Sequence, residues 1–419
     1  MELARSMNPY ARDSDGDGYF DGLEVYRGSD PTVSTNTPLS ILPVGTNVVT
    51  WLSSSTSNVL YTNRPGELSN VVAVAAGSTN YLALRRDGRV IDWKTNSITN
   101  TAPAYATNMV AVAASSSHSV GLNADGVVWA WGTNSSVTTS PTDLTNVVDI
   151  GAGTSFTVAL LSDGRIRTWG TASAVTNCPT NSLTNVVKIS VGATGAGARR
   201  GDGSHIFWGN MSNLSASNFV GAYGFSVGSS YTLASVSNTP AYGVSTANSK
   251  TFTFLNIINA QAVAVGSTTY FYFIKTNGSV AGYFSNSLMT LPSQVTTNAN
   301  VLAFGTKTTP TIALLGTVSN QVPYLNLGNT NLLGKVGDSY SLTLTASGTA
   351  PISFGATNLP PAESSAARRR PPGRIARSLR LPTATGWRPR QTTLSSRKET
   401  RRSPLALSAP NTWMRGASR

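Results

Sequence analysis

Residues 13–24 contain the residue types whose spacing points most directly to chemistry. Aspartates occupy positions 1, 3 and 5 of this twelve-residue segment, Gly18 occupies position 6 and Glu24 occupies position 12. This is the spacing of a calcium-binding loop, in which oxygen ligands surround a hard cation and the glycine permits a sharp turn. The predicted ligands are Asp13, Asp15, Asp17, the backbone carbonyl of Tyr19, Asp21 directly or through water, and both oxygens of Glu24.

The carboxylates of this segment, called the acidic loop (residues 13–24), repel one another unless a cation lies between them. An acidic, disordered linker is the alternative interpretation. The loop and the following Gly28-Ser29-Asp30-Pro31 resemble the thrombospondin type 3-like calcium repeats of large bacterial extracellular proteins. The resemblance implies a rigidifying Ca²⁺ site, filled by extracellular calcium even with a Kd on the order of 10⁻⁴–10⁻³ M.

The net charge of +13 favours, at first sight, a nucleic acid or an anionic membrane as the partner. Residues 361–419, however, hold 14 basic and 2 acidic side chains, whereas residues 1–360 hold 17 basic and 16 acidic ones. We therefore expect no nucleic-acid partner for residues 1–360.

The basic segment, residues 361–419, has 13 Arg and one Lys and contains no Val, Phe, Tyr or Asp. We interpret it as a disordered, Arg-rich tail produced by a shifted reading frame. The alternative is a genuine disordered basic tail.

The remaining composition favours short strands joined by turns. Only 12% of the residues are charged, against about 25% in ordinary globular domains, and Ser, Thr, Asn and Gly are abundant. Cys178 is the single cysteine, which excludes an intramolecular disulfide. No apolar run reaches the ~18 residues that a transmembrane helix needs, and residues 1–5 show no signal-peptide core.

A repeat of about 38 residues runs through the middle of the chain. Its copies begin at Asn70, Asn108, Asn146, Asn185, Gly221, Asn259 and Asn298. Each begins with a small, apolar segment that suits a buried strand. An Asp-Gly pair follows in four copies, and six residues after that Asp stand Trp93, Trp131, Trp169 and Trp208.

Each copy is expected to form three or four short antiparallel strands. The Asp-Gly pair predicts a β-hairpin with a type I′ turn, in which both central residues have positive φ. One such sheet cannot bury both of its faces, so the copies must pack on their neighbours as a propeller or as a solenoid.

The two ends of the repeat array favour the propeller. The last copy has early strands near Val301 and Thr311 but no late strand, and Asn47–Trp51 resembles a late strand without early ones. Pairing of these half-blades would close a ring. We therefore predict an all-β, seven-bladed β-propeller over residues 45–318.

The repeat resembles the regulator of chromosome condensation family, whose units contain a Gly-x-x-His-Ser segment, a glycine turn and then Trp-Gly. The best match is the stretch from Ser115 through His118 and Asp125-Gly126 to Trp131-Gly132. The resemblance implies a propeller in which His118 packs or hydrogen-bonds between blades. The exchange-factor activity of the eukaryotic founder is not carried over, because its loops have no counterpart in this sequence.

Residues 322–360 change character again. Tyr340, Leu342 and Leu344 alternate with polar residues, which predicts a half-buried strand. This segment resembles the opening of a bacterial immunoglobulin-like module, a β-sandwich that here would be truncated.

The predicted organisation is a calcium-loop segment (1–31), a linker (32–44), the propeller (45–318), the partial immunoglobulin-like module (322–360) and the tail (361–419). The favoured function is that of a non-enzymatic, monomeric, calcium-binding adhesin or interaction scaffold, secreted or on a cell surface, with a protein or polysaccharide ligand. Two alternatives stay open: a propeller enzyme (lyase or hydrolase), for which Asp149 and Lys188 are the charged candidates on first strands, and a GTPase regulator.

Overall fold

The fold is described from a computed structural model of the chain. It describes residues 7–316, apart from 9, 54–57, 96, 180–182, 267–268, 276–277, 286, 297–300 and 307–309, together with three strands further along the chain. The chain divides into two compact units, Met1–Asn320 and Gln321–Arg419. Among the described residues, no helix is long and apolar enough to cross a membrane.

The first unit consists mainly of short strands, with few helical turns. Its first strands are β1 (Asn47–Ser53), β2 (Asn58–Tyr61), β3 (Val71–Ala76), β4 (Asn80–Arg85), β5 (Val90–Lys94), β6 (Met109–Ala114), β7 (His118–Asn123), β8 (Val128–Gly132), β9 (Val147–Ala152), β10 (Phe156–Leu161), β11 (Ile166–Gly170), β12 (Val186–Val191), β13 (Gly195–Arg200) and β14 (His205–Gly209). The later ones are β15 (Ala222–Val227), β16 (Tyr231–Val236), β17 (Pro240–Ser245), β18 (Thr251–Ile258), β19 (Ala262–Val265), β20 (Tyr270–Ile274), β21 (Val280–Phe284), β22 (Ser287–Leu288), β23 (Val301–Thr306) and β24 (Pro310–Leu315).

The helices are short. The longest of those described in the first unit is α1 (Asp21–Arg27), and it precedes all of the strands; α2 (Ser135–Thr138), α3 (Ser173–Thr176) and α4 (Ser293–Thr296) follow, with a 3₁₀ turn at Ala216–Phe219. The C-terminus of α1 is capped by Gly28, whose φ of 89° lets its N–H reach the carbonyl of Glu24.

Within the described part of residues 45–315, the strands form seven antiparallel sheets, which equals the number of blades that the sequence predicts. Six of them follow the chain: β3-β4-β5, β6-β7-β8, β9-β10-β11, β12-β13-β14, β15-β16-β17-β18 and β19-β20-β21-β22. The seventh has the order β2-β1-β24-β23 and joins the two ends of the array, with Asn47 opposite Leu315 and Thr50 opposite Ile312. The predicted pairing of the two half-blades is confirmed.

The first strands of the seven sheets are neighbours in space and form a closed ring. Contacts run from β3 to β6, β9, β12, β15, β19 and β23 in turn, and β23 contacts β3 again. We call these seven strands the inner strands. Radial packing around such a ring is the arrangement of a β-propeller rather than that of a linear solenoid.

The residue that opens each repeat has a left-handed backbone, which explains why it is Asn or Gly. The values of φ are 54° at Asn70, 56° at Asn108 and Asn146, 57° at Asn185, 75° at Gly221 and 54° at Asn259; Asn298 lies outside the described residues. The carbonyl of Asn70 accepts the N–H of Arg86 in its own sheet, at 2.8 Å. The N–H of Met109, which follows the next opening Asn, donates to Gly88 at 2.8 Å. The opening residue thus connects consecutive sheets.

The predicted hairpins are present, but the predicted type I′ turn is wrong. Gly88 has a φ of 76°, whereas Asp87 is not among the residues with positive φ. The N–H of Gly88 donates to the carbonyl of Arg85, and the N–H of Arg85 donates to Arg89. This is a three-residue loop with a glycine bulge. The Asp87 carboxylate accepts the N–H of Arg89 at 3.2 Å, which stabilises the loop without a positive φ at the aspartate.

The tryptophans of the repeat contribute to the core, as the sequence predicts. Trp93 and Trp208 are fully buried, and Trp169 is buried. Trp131 is half-buried and packs against the same core as its neighbours. Trp51 of β1, which belongs to the closing sheet, is also fully buried and contacts Tyr272 and Phe304.

In the second unit, three strands are described: β25 (Tyr324–Leu327), β26 (Leu342–Ser347) and β27 (Thr392–Leu394). They form one antiparallel sheet in the order β25-β26-β27. The rest of the predicted immunoglobulin-like segment and of the Arg-rich tail lies outside the described residues. The domain assignments made from the sequence therefore stay predictions.

Candidate metal site and channel

The acidic loop brings three of its carboxylates together. Oxygen atoms of Asp13, Asp15 and Asp17 all lie within 4.8 Å of one another. The two oxygens of Asp13 accept the N–H groups of Gly16 and Gly18, at 2.7 and 2.8 Å. These bonds fold the chain back on itself, and they require φ of 76° at Gly16 and 92° at Gly18. The glycine predicted for the sharp turn therefore has the backbone that the turn needs.

Glu24, the last predicted ligand, lies on α1 and is completely buried, with an exposed fraction of 0%. Its Oε1 accepts a hydrogen bond from Ser29 Oγ at 3.2 Å, whereas its Oε2 has no partner. Burial, with a smaller contribution from the charges of Asp17 and Asp15, raises the pKa of this carboxyl to about 8. Glu24 therefore lies close enough to Asp15 and Asp17 for their charges to raise the pKa of its carboxyl.

The donor set fits a hard cation. One oxygen each of Asp15, Asp17 and Glu24 is buried without a hydrogen-bond partner. Burial and the neighbouring carboxylates also raise the pKa of Asp15 and of Asp17. Buried carboxylate oxygens without donors are costly, and a cation held by the aspartates would satisfy those of Asp15 and Asp17. Glu24 is not among the carboxylates that lie within 4.8 Å of one another, so its role as a ligand stays a prediction.

Two of the predicted ligands are placed differently. Asp21 accepts hydrogen bonds from the N–H and the hydroxyl of Ser14, at 2.8 and 2.6 Å, so both of its oxygens are engaged within the loop. The N–H of Tyr19 donates to Asp17 at 2.9 Å. The roles of Asp21 and of the Tyr19 carbonyl as ligands stay predictions.

Helix α1 holds the acidic loop against the propeller. The Tyr26 hydroxyl donates to Asp149 Oδ2 at 2.8 Å, and Arg27 lies 3.4 Å from the other oxygen of the same carboxylate. On the loop side, Arg12 donates to the backbone carbonyl of Asp125 at 2.5 Å and its guanidinium lies 5.0 Å from the ring centre of Phe20. The N-terminal segment is thus attached to two consecutive sheets by hydrogen bonds and an ion pair.

One member of the charged pair considered for an enzyme has partners outside the pair. Asp149 is engaged by Tyr26 and Arg27 of α1. Lys188, at the equivalent place on β12, is exposed, yet desolvation by the surrounding protein lowers its pKa. A closed ring of inner strands surrounds a central channel in β-propellers, and Lys188 lies on one of these strands.

A buried carboxylate that was not predicted from the sequence lies between the first two sheets. Asp92 is 4% exposed and accepts hydrogen bonds from Asn80 at 3.0 Å, Ser119 at 3.0 Å and the Trp131 indole at 2.7 Å. Ser119 and Trp131 belong to the next sheet. The available signal was a charged residue before Trp93, where the other three copies have Ala, Thr or Phe.

His118 connects two sheets, as the resemblance to the repeat family implies. Its Nε2 lies 2.8 Å from the Thr157 hydroxyl of the following sheet. Its Nδ1 lies 2.9 Å from Ser115 Oγ. The histidine is buried, and its bonds are those of a structural residue.

The closed ring of small antiparallel sheets, joined by the two ends of the array, defines the class of the protein as a β-propeller. Two of its repeats match a known family: the family model described as "Regulator of chromosome condensation (RCC1) repeat" matches residues 109–136 and 147–173. The chain is thus a repeat propeller that contains RCC1-type repeats.

Solved structures agree with this class. The chain is similar to Prp20p from Saccharomyces cerevisiae, with a TM-score of 0.53, 14% identity, and coverage of 71% of this chain and 95% of that chain. It is also similar to yeast RCC1 (Prp20) in a complex with Kap60, with a TM-score of 0.52, 14% identity, and coverage of 65% and 89%. At this identity the similarity shows the fold alone. No curated protein matches the sequence.

Proposed function

We propose that the chain is a non-enzymatic, calcium-binding interaction scaffold. The observation that carries the calcium part is the cluster of Asp13, Asp15 and Asp17, in which one oxygen each of Asp15 and Asp17 is buried without a partner. Glu24 Oε2 is also buried without a partner, and the charges of Asp17 and Asp15 act on its carboxyl. Oxygen-only, strongly acidic ligand sets with a flexible loop favour Ca²⁺ over Mg²⁺, because Mg²⁺ demands near-ideal octahedral geometry and retains its water.

Calcium would act as a clip between the N-terminal segment and the propeller. Glu24 and Tyr26 lie on the same short helix, and Tyr26 is bonded to Asp149 of inner strand β9. Neutralising the loop carboxylates removes the repulsion between Glu24 and the aspartates. The helix, and with it the contact to β9, becomes more stable when the ion is bound.

The scaffold part rests on the closed propeller and on its exposed aromatic side chains. Tyr105 and Trp129 are 47% and 42% exposed, and their ring centres lie 5.1 Å apart. Exposed aromatic side chains on a rigid sheet are frequent at binding surfaces for proteins. A protein or polysaccharide ligand, a secreted or cell-surface location and a monomeric state complete the proposal. Millimolar extracellular calcium would fill even a weak site.

The calcium proposal is tested by titrating Ca²⁺, and separately Mg²⁺, into the full chain. The readouts are the thermal unfolding of the chain and its cleavage by trypsin after Arg12 and Arg27. Ca²⁺ is expected to slow this cleavage, with a Kd on the order of 10⁻⁴–10⁻³ M. Glu24→Gln should weaken calcium binding by roughly tenfold or more. Glu67→Gln, which changes an exposed glutamate outside the loop in the same way, should have no effect. Equal cleavage with and without Ca²⁺ would refute the proposal.

A GTPase regulator is the alternative function. The observation that favours it is the structural similarity to Prp20p, a protein whose structure was reported together with its binding properties to Gsp1p and histones. Specific binding of this chain to Gsp1p, in a pull-down with the purified proteins, would favour the alternative over the extracellular scaffold.

A further inference from the structure

One sheet of the propeller carries a row of basic side chains. In the sheet β12-β13-β14, Lys188 lies opposite Arg199, and Arg199 lies opposite His205. Residues that are directly opposite in an antiparallel sheet project on the same face. The three basic side chains, which we call the basic row (Lys188, Arg199, His205), therefore run from an inner strand across the sheet.

The first two repeats place small or apolar side chains at the same positions of the ladder, whereas the third has Asp149 at the place of Lys188, opposite Leu160. Leu84 lies opposite Val90, and Leu122 lies opposite Val128; all four are buried. On the inner strands, Ala73 and Ala111 occupy the place of Lys188. In these two repeats, aliphatic side chains alone fill this position of the sheet. The basic row is thus an exception that the fold does not require.

Two members of the basic row have buried polar atoms without a hydrogen-bond partner among the described residues. His205 is 1% exposed, and neither of its ring nitrogens makes a hydrogen bond of normal geometry, although the Gly203 backbone is near enough to raise its pKa slightly. Arg199 Nε is buried and also has no partner. No ion pair of Arg199 is found among the described residues. Burial, with a smaller contribution from the charge of Arg199, lowers the pKa of His205 to about 4.

The basic row is accessible from one end only. Lys188 is exposed on its inner strand, Arg199 is half-buried and His205 is buried. The His205 ring contacts Phe225 of the following sheet at 5.1 Å and Phe219 at 5.7 Å, which closes the far end with aromatic side chains. A small solute would therefore approach from the channel.

We propose that the basic row binds a small oxyanion, a phosphate or a carboxylate group, that enters through the channel. Arg199 supplies the guanidinium fork that matches such groups, and Lys188 supplies a mobile positive charge. His205 supplies an N–H donor from its neutral ring. The buried Nε of Arg199 and the buried ring nitrogens of His205 are costly without partners, and the anion removes this cost. This site is distinct from the acidic loop and does not depend on it.

The proposal is tested by thermal unfolding and calorimetry of the full chain in calcium-free buffer, because phosphate binds calcium. The probes are inorganic phosphate and succinate, each compared with sodium chloride at equal ionic strength. We expect one of them to raise the midpoint of unfolding by about 2–4 °C more than chloride does. A response to phosphate alone assigns a phosphate group, and a response to succinate assigns a carboxylate.

Two variants connect the effect to the basic row. Arg199→Leu introduces leucine, the residue found at the equivalent positions 84 and 122, so the variant should fold. Without anion it should unfold at a higher temperature than the unsubstituted chain, and it should bind the anion at least tenfold more weakly. Lys188→Ala, which introduces the residue of Ala73 and Ala111, should also weaken binding. Arg165→Ala removes an exposed arginine of another sheet and should bind normally. No response beyond that to chloride, or an unchanged response in both row variants, would overturn the proposal.

Discussion

The Tyr26 hydroxyl donates a hydrogen bond of 2.8 Å to the Asp149 carboxylate, across a separation of 123 residues. It joins the helix that follows the acidic loop to an inner strand of the propeller. The Tyr26 ring also stacks near the Arg27 guanidinium, at 5.5 Å, and Arg27 reaches the same carboxylate. The contact therefore makes the position of the N-terminal segment depend on the ring of sheets.

Removal of this hydroxyl should loosen the N-terminal segment without unfolding the propeller. A hydrogen bond to a charged acceptor contributes about 1.5–3 kcal/mol, so Tyr26→Phe should lower the local stability of residues 7–44 by that order. Hydrogen exchange followed by mass spectrometry measures the effect on these residues. Tyr10→Phe changes a tyrosine that is 97% exposed and serves as the control. Identical exchange in the two variants would contradict the role assigned to Tyr26.

The glycines of the hairpin loops differ in what a side chain would meet. Gly164 has a φ of 79°, and a Cβ there would lie 3.0 Å from the Asn185 Cα of the next sheet; Gly203 has a φ of 86° and open space. Left-handed backbone costs an L-residue about 1–2 kcal/mol, so Gly203→Ala should lower the free energy of unfolding by that amount. Gly164→Ala should lose clearly more in urea unfolding, because it also displaces the next sheet. Equal losses would show that the contact between sheets is unimportant.

The buried Asp92 should be among the most sensitive positions. Asp92→Ala leaves donors of Asn80, Ser119 and Trp131 without their shared acceptor, so we expect a loss of about 3 kcal/mol or more in the free energy of unfolding. Asp143→Ala removes an exposed carboxylate that pairs with Arg167 and should cost about 0–1 kcal/mol. Chemical denaturation of both variants makes the comparison. Similar costs would mean that the Asp92 network contributes little.

The buried His205 should make the free energy of unfolding decrease in acid. Its pKa is lowered from 6.5 to about 4 by burial and by Arg199, so the folded state binds a proton less readily than the unfolded state does. This contribution is therefore fully present above pH 6.5 and is lost as the pH falls towards 4, by about 3 kcal/mol in total.

Urea unfolding between pH 7 and pH 4, in chloride buffers, measures this component. His205→Ile introduces the residue that Ile166 represents in the preceding repeat and should show a weaker pH dependence. A pH profile unchanged by the substitution would rule out His205 as its source.

The sequence by itself determined the repeat, its Asn and Gly positions, the aromatic core and the closure of the ring. These features follow from local rules: left-handed backbone selects Asn and Gly, and a small apolar strand must be buried on both faces. The same local reading identified the acidic loop, since the spacing of Asp13, Asp15, Asp17 and Glu24 lies within a single short segment. The turn type was wrong, because the Asp carboxylate stabilises a three-residue loop that the Asp-Gly pair alone does not reveal.

The tertiary structure decided which distant residues meet. Asp92 finds its donors one repeat later, Tyr26 finds Asp149 more than a hundred residues away, and Lys188, Arg199 and His205 align only once β12, β13 and β14 are in register. None of these partners is fixed by sequence spacing, since strand register and the packing of sheets set the distances. Burial has the same origin: Glu24 and His205 are ordinary polar residues in the sequence, and the folded chain removes them from water.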